Sequence, residues 1–142
     1  MTKETIVLDT SVFVRILAGH DTEGRVYSKI IRDCNRVAVD DAVIFEYKDT
    51  LKRKFVGLEE YFVARKLNEL EAYHKLVKVA GDSRPPDDID PEDRHLVRAC
   101  KEAKAKYLIT TDDHHLWNHR DHIKNTHRVE VLRPQEYLDM TA

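Results

Sequence analysis

The sequence predicts an α/β fold, in which a central parallel sheet of four to five strands is covered by helices on both faces. Short apolar runs of strand length recur along the chain, and segments with helical periodicity separate them. No internal repeat or low-complexity tract interrupts this alternation. Strands that alternate with helices favour a parallel sheet, because a crossover between two parallel strands has room for a helix. Each crossover is expected to be right-handed.

Length and composition limit the class of protein. A chain of 142 residues is long enough for one hydrophobic core, so we expect a single domain over residues 1–142. It has no apolar run of the roughly 18 residues that a membrane span needs, and its first residues lack the apolar region of a secretory signal. These features predict a cytoplasmic protein. Cys34 and Cys100 are too few for a disulfide framework and are expected to be buried free thiols in helices.

The first half of the chain is predicted to contain two strands and four helices. Residues 6–8 and 37–39 are short apolar runs, as expected for buried strands. Helices are predicted over residues 12–17, 23–35, 43–55 and 58–73. Thr10-Ser11 is the candidate N-cap of the first helix and Asp40-Asp41 that of the third, because short polar side chains accept hydrogen bonds from the free N–H groups there.

The second half is predicted to continue the same alternation. Strands are expected over residues 76–79, 107–109 and 129–132. Residues 81–91, rich in Asp and Pro, are typical of a loop, and a helix is expected over residues 92–104. Residues 114–118 are predicted to form a single helical turn, and Pro134 is expected at the first position of a terminal helix.

Two carboxylates follow predicted strands. Asp9 comes directly after the strand at residues 6–8, and Asp112 comes shortly after the strand at residues 107–109. The carboxyl ends of parallel strands meet at one edge of the sheet, where open α/β sheets bind their ligands. An Asp at a strand end is in itself an ordinary turn residue, so the indication comes from the pair.

Asp93 and Glu46 are two further candidates. Asp93 precedes Leu96 by three residues and Val97 by four, which places it on the core-facing side of its helix, where a bare carboxylate is unfavourable. Capping of that helix, with Asp90 as the cap, explains Asp93 equally well. Glu46 lies in the middle of a helix and is by itself typical of a solvated residue; its candidacy depends on its helix lying over the same sheet edge.

Four motifs, in this order, resemble the PIN-domain nucleases. They are VLDTSV at residues 7–12, FEY at residues 45–47, DPED at residues 90–93 and YLITTD at residues 107–112. Each motif is weak alone, but the four together are fairly specific, and the resemblance covers nearly the whole chain. The tail RPQEYL at residues 133–138 is of a type common in one prokaryotic branch of the family.

The resemblance implies a three-layer α/β/α PIN-like domain that uses Mg²⁺ or Mn²⁺ to cleave single-stranded RNA. Its catalytic and metal-binding residues would be Asp9, Glu46, Asp93 and Asp112. Many PIN domains are toxins held by a small antitoxin, so an antitoxin partner and a homodimer are family-level expectations. One position departs from the pattern: many relatives carry a further acid where this chain has His114. Asp113 is a candidate substitute, but it directly follows Asp112 and is expected to point elsewhere. This leaves open whether one or two ions act.

The chemistry agrees with these residue types. A protein that binds nucleic acid by counterion release alone is usually basic, whereas this chain has a net charge of −2. If the protein acts on nucleic acid, the acidic residues are therefore expected to have a role of their own, and we expect them to bind a divalent cation. We expect Asp9 and Asp112 to bind metal directly with Asp93 beside them, and Glu46 to act through a water molecule. Candidate hydrogen-bond donors to these carboxylates, or else ordinary cap and strand residues, are Thr10, Ser11 and Thr110. Candidate phosphate contacts, or else a solvated face, are Arg15, Lys48, Lys52, Arg53 and Lys54.

Three other interpretations compete with a PIN-like nuclease. A zinc or iron site is suggested by the histidines His114, His115, His119 and His122, but the intervening residues break any known ligand motif. A phosphoacceptor receiver domain shares the alternation, yet no suitable Lys follows Thr110. A non-catalytic PIN-like module that binds RNA or protein is the main alternative, and the intact set of four acids argues against it.

Overall fold

A computed structural model describes residues 3–55, 57–112 and 115–140. Its strands are β1 (Thr5–Leu8), β2 (Arg36–Val39), β3 (Leu76–Lys78), β4 (Tyr107–Ile109) and β5 (Glu130–Leu132). They form one sheet in the order β3-β2-β1-β4-β5, and every neighbouring pair is parallel. The predicted α/β fold with a parallel sheet is therefore confirmed, with five strands.

Seven helices connect and follow the strands in the described residues. They are α1 (Thr10–Leu17), α2 (Asp21–Arg32), α3 (Asp41–Lys54), α4 (Tyr61–Ala72), α5 (Arg94–Ala103), α6 (Arg120–His127) and α7 (Pro134–Asp139). The sequence did not predict α6, which has Ile123 as its only buried residue and so lacks an apolar stripe. The predicted turn at residues 114–118 falls partly outside the described residues, which exclude His114. Residues 115–119 form turns, and the N–H of His119 donates to the carbonyl of His115 at 3.2 Å, as in one turn of an α-helix.

The core surrounds the middle strand. Every residue of β1 is buried, and Ile6, Val7 and Leu8 are completely so. Because successive side chains of a strand point to opposite faces, burial along its whole length means that helices cover both faces of the sheet. No helix in the described part of the chain is long and apolar enough to cross a membrane.

An aromatic pair holds two helices at the carboxyl end of β1. The ring of Tyr47 in α3 stacks on Phe13 in α1, with centroids 4.1 Å apart and planes 5° from parallel. The Tyr47 hydroxyl donates a hydrogen bond to the backbone carbonyl of Leu8, the last residue of β1. This buried contact sets α3 beside the end of β1 and thereby positions the face that carries Glu46.

Two local predictions are wrong in detail. Asp9, not Thr10-Ser11, caps α1, because its carboxylate already lies next to the free N–H of Thr10. Cys100 is a buried free thiol as predicted, but Cys34 is only half-buried and follows the end of α2 with a φ of 61°. Asp40 does cap α3, accepting a 2.8 Å hydrogen bond from the N–H of Val43.

Candidate active site at the carboxyl edge of the sheet

All four predicted acids line one cleft of about 560 Å³. Asp9 follows β1 and Asp112 comes after β4, its neighbour in the sheet, while Glu46 projects from α3 and Asp93 immediately precedes α5. The chain leaves β1 toward β2 on one side and reaches β4 on the other, so the cleft lies at a topological switch point of the sheet.

Asp9 is a buried carboxylate whose two oxygens are held by three donors. Its Oδ1 accepts the N–H of Thr10 at 2.7 Å. Its Oδ2 accepts the hydroxyl of Thr110 at 2.6 Å and that of Ser11 at 3.2 Å. Burial raises the pKa of Asp9, and the charge of Glu46 raises it further, although the hydrogen bonds oppose this. All three predicted donors therefore contact the carboxylates of the cleft, since Thr10 also reaches Glu46.

Glu46 lies between a hydroxyl and an imidazole. Its Oε1 accepts the Thr10 hydroxyl at 2.9 Å, and its Oε2 lies 2.7 Å from Nε2 of His95 in α5. Burial alone would raise the pKa of Glu46, but His95 and Thr10 outweigh it and the pKa is lowered. His95 is not among the residues that the sequence motifs predict for the site, and its one signal is its position two residues after Asp93.

Asp93 is the electrostatically unfavourable member of the cleft. It occupies the N-cap position of α5, yet its side chain makes no capping hydrogen bond, so capping does not explain this residue. Burial raises the pKa of Asp93 to about 7, helped by the negative charges of Asp9 and Asp112. A bound cation would relieve both the burial and the repulsion.

Asp112 is connected to Asp9 through Thr110. The completely buried Thr110 hydroxyl donates to Asp9 Oδ2 and accepts the backbone N–H of Asp112 at 2.9 Å. The end of β4 and the N-terminus of α1 are thus joined by one hydroxyl group. Asp113 and His114, which bear on the predicted departure from the family pattern, lie outside the described residues.

The donor set of the cleft fits Mg²⁺ or Mn²⁺. Carboxylate oxygens are the ligands these hard cations prefer, and Asp9 and Asp93 are both destabilised in their ionised form without a counter-charge. In the described part of the chain, Asp90, Asp93 and His115 offer three donor atoms that lie within 4.8 Å of one another. His115 is therefore a further polar residue of this cleft that the family motifs did not single out.

Cations lie among the residues that line the same cleft. Three of the predicted phosphate contacts, Arg15, Arg53 and Lys54, line it, whereas Lys48 and Lys52 do not. The Arg15 guanidinium donates to the hydroxyl of Thr111, and Arg53 is paired with Asp49 at 3.0 Å. The cleft thus combines clustered acids with basic side chains that suit a negatively charged substrate.

The histidines proposed as a separate metal site do not form one group. Nδ1 of His115 lies 2.8 Å from Asp90, while Nε2 of His122 lies 2.6 Å from Asp88. His119 immediately precedes α6. The predicted combination of His115, His119 and His122 is therefore not brought together in the described residues.

Comparisons with known proteins agree with this geometry. A search of the curated proteins found no matching relative. A scan against protein-family models matched one described as PIN domain over residues 5–114, a range that includes all four acids and four of the five strands. Because this match covers well over half of the sequence, the chain belongs to the PIN-domain family, a family of nucleases that typically use divalent metal ions.

Proposed function

We propose that the protein is a metal-dependent endoribonuclease that hydrolyses single-stranded RNA. Asp9, Asp93 and Asp112 would bind one or two Mg²⁺ or Mn²⁺ ions directly, and Glu46 would complete the catalytic set. The observation that carries this proposal is the convergence of the four carboxylates on one cleft, where burial and mutual repulsion raise the pKa of Asp93 to about 7.

The chemistry requires a positive charge among these acids. A bound divalent ion lowers the pKa of a water molecule and polarises the phosphoryl oxygen, which clustered carboxylates alone would make harder to attack. Thr110 and Ser11 orient the Asp9 carboxylate. His95 keeps Glu46 ionised, so that Glu46 can accept a proton or a hydrogen bond from the attacking water.

The surface beside the cleft supports a single-stranded substrate. Phe45 is 70% exposed, more than any other large hydrophobic side chain in the described part of the chain, and it lines a neighbouring groove of about 680 Å³. Glu46 and Arg53 line both the groove and the cleft, so the two are continuous. An exposed aromatic ring beside basic side chains can stack on a base that is free of a duplex, while Arg15 and Arg53 meet the phosphates.

A toxin role, an antitoxin partner and a homodimer are further proposals for this chain. They rest on the family resemblance alone. The alternative function, a non-catalytic PIN-like module that binds RNA or protein, predicts RNA binding without cleavage. An RNA cleavage experiment therefore distinguishes this module from the nuclease.

The decisive experiment is cleavage of an end-labelled single-stranded RNA in Mn²⁺, in Mg²⁺ and in EDTA. We expect cleavage by the wild type with either metal and none in EDTA. Asp9→Asn and Asp112→Asn should each lower the rate by at least 100-fold, because each removes a metal-binding charge. Asp21→Asn, an exposed acid on α2, is the matched control and should cleave like wild type.

Three results would argue against the proposal. Cleavage that persists in EDTA, or that is equal in the wild type and both cleft variants, would indicate a contaminating nuclease. RNA binding without cleavage under any metal condition would favour the non-catalytic module. Cleavage of duplex RNA as fast as of single strands would contradict the proposed substrate.

A further inference from the structure

We propose that Asp88, His122 and His127 form a second metal site, outside the acid cleft, that binds a transition-metal ion such as Zn²⁺. We call it the histidine site. Asp88 lies in the loop before α5, and the two histidines belong to α6, a helix that none of the family motifs includes. The three donor atoms lie within 4.8 Å of one another.

The two imidazoles converge on one carboxylate oxygen. Asp88 Oδ2 lies 2.6 Å from Nε2 of His122 and 2.8 Å from Nε2 of His127. The rings are close to perpendicular, at 84°, with centroids 6.3 Å apart, so their Nε2 atoms approach the same point from different directions. Three donors that face a common point from two separate segments have the arrangement that a metal ion needs.

The donor set selects the class of ion. Two imidazole nitrogens and one carboxylate suit Zn²⁺ and its neighbours, whereas Mg²⁺ prefers oxygen ligands alone. Zn²⁺ binds nitrogen at about 2.0–2.1 Å in tetrahedral geometry, so its ligands stand about 3.3 Å apart. The present separations of 2.6 and 2.8 Å would widen by less than about 1 Å, which rotation of the partly exposed Asp88 and His122 side chains can supply while His127 stays in place.

The surroundings hold the ligands and leave one side open. The His127 side chain is only 6% exposed, so packing fixes its ring. Nδ1 of His122 lies 3.4 Å from the Thr126 hydroxyl, which can accept its proton and leave Nε2 free to bind metal. His122 and Asp88 are 48% and 33% exposed, so water can reach the site as a fourth ligand.

Metal at the histidine site would tie the loop before α5 to α6. That loop continues through Asp90 to Asp93, and residues of both segments line a cavity of about 240 Å³ between them. The ion would therefore stabilise the segment that delivers Asp93 to the acid cleft without taking part in cleavage. The inference is independent of the proposed nuclease activity, since it concerns different ligands and a different metal.

The test is a calorimetric titration of the full-length, metal-free protein with Zn²⁺ in the presence of excess Mg²⁺. We expect one equivalent of tight binding in the wild type, and intense visible absorption from tetrahedral coordination when Co²⁺ replaces Zn²⁺. His122→Ala and His127→Ala should each weaken Zn²⁺ binding at least 10-fold and remove the Co²⁺ bands. His20→Ala, a histidine outside the site, is the matched control and should change neither.

A second pair of measurements keeps the test decisive. His115→Ala disrupts the Asp90–Asp93–His115 group and should leave the Co²⁺ bands intact. Melting temperatures in EDTA establish that each variant is folded, and His122→Ala suffices if the buried His127 does not tolerate change. Loss of the bands only in His115→Ala, unchanged Zn²⁺ binding in His122→Ala, or no tight equivalent in the wild type would overturn the proposal.

Discussion

A single hydroxyl group connects two of the four acids. Thr110 donates to Asp9 Oδ2 at 2.6 Å and accepts the backbone N–H of Asp112 at 2.9 Å. The residue is completely buried, so water cannot replace either bond. The orientation of Asp9 and the path of the chain into Asp112 therefore depend on this side chain.

Replacement of Thr110 by Val tests that dependence. Thr110→Val keeps the shape but removes the buried hydroxyl that joins Asp9 Oδ2 to the backbone N–H of Asp112, and we expect a loss of about 1–3 kcal/mol in the free energy of unfolding. Mn²⁺ affinity should fall about 10- to 100-fold, because an outer-shell partner of a metal ligand is lost. Urea unfolding and Mn²⁺ titration measure the two effects. Thr110→Ser retains the hydroxyl, so equal losses in both variants would contradict the argument.

Residue-scale prediction from sequence succeeds where a contact is local. Thr10, Ser11 and Thr110 were candidates because they stand next to Asp9 or Asp112 in a motif. His95 was missed because its contact with Glu46 joins two helices that are far apart in the sequence. No spacing rule reports such a pair, since it exists only once α3 and α5 are packed together.

At the scale of elements, the start of α3 depends on the close packing of the Gly81 backbone against the side chain of Asp40. Asp40 caps this helix and is completely buried, and its Oδ2 lies 3.7 Å from the guanidinium of Arg98 in α5. Gly81, just after β3, has a φ of +69°, and a Cβ there would lie 2.8 Å from the same Oδ2. Only glycine fits both the backbone conformation and the space. The direction of α3, and with it the position of Glu46, depends on this arrangement.

Two glycine substitutions should therefore have opposite effects. Gly81→Ala forces a left-handed residue against Asp40, and we expect a loss of at least about 1–2 kcal/mol in unfolding free energy. Gly24→Ala lies inside α2 with no atom within 4 Å of the new Cβ, and it should stabilise the protein by about 0.5–1 kcal/mol. Urea unfolding of the two single variants is the measurement. Equal stability of Gly81→Ala and the wild type would show that the approach is relaxed in solution.

Prediction of whole elements from sequence depended on buried apolar residues. Four of the strands and most helices have them, and β3 has the half-buried Leu76 and Val77. By contrast, α6 (RDHIKNTH) buries only Ile123 and is held by polar contacts such as that of His122 with Asp88. A pattern of hydrophobic spacing cannot reveal a helix of this kind. Two of the three ligands of the proposed histidine site lie on this helix, which explains why no sequence pattern indicates that group.

At the scale of the whole molecule, the site follows from the topology. Parallel strands put Asp9 and Asp112 at one edge whatever the strand order is, so this part of the site could be predicted. The order β3-β2-β1-β4-β5 could not, although it makes β1 and β4 neighbours and creates the switch point. The separations within the cleft also required the packed helices, because Glu46 and Asp93 reach it from α3 and from the start of α5.

The repulsion among the cleft acids makes stability depend on pH. The pKa of Asp93 is about 7 in the folded protein, against 3.8 as its ordinary value. Between about pH 4 and pH 7 the folded protein therefore keeps a proton on Asp93 that the unfolded chain has released, so this group makes the free energy of unfolding fall as pH rises through the window. The pKa values of His95 and His115 are also raised, from an ordinary value of 6.5. These histidines therefore lower the free energy of unfolding in the same way as Asp93, and their effect continues above pH 6.5.

We expect the melting temperature in EDTA to decrease between pH 4 and pH 7, and Asp93→Asn to flatten this decrease in part, because the histidines still contribute.

Bound metal should offset the loss of stability at pH 7. Mn²⁺ or Mg²⁺ should raise the free energy of unfolding of the wild type by about 2.7 kcal/mol when the ion is at 100 times its Kd. Asp93→Asn and Asp112→Asn should gain much less, and Asp21→Asn as much as wild type. Differential scanning calorimetry with and without metal measures both dependences. A pH profile that is identical in the wild type and Asp93→Asn would mean that the acids of the cleft do not repel one another. Equal stabilisation of every variant by metal would mean that these acids do not share an ion.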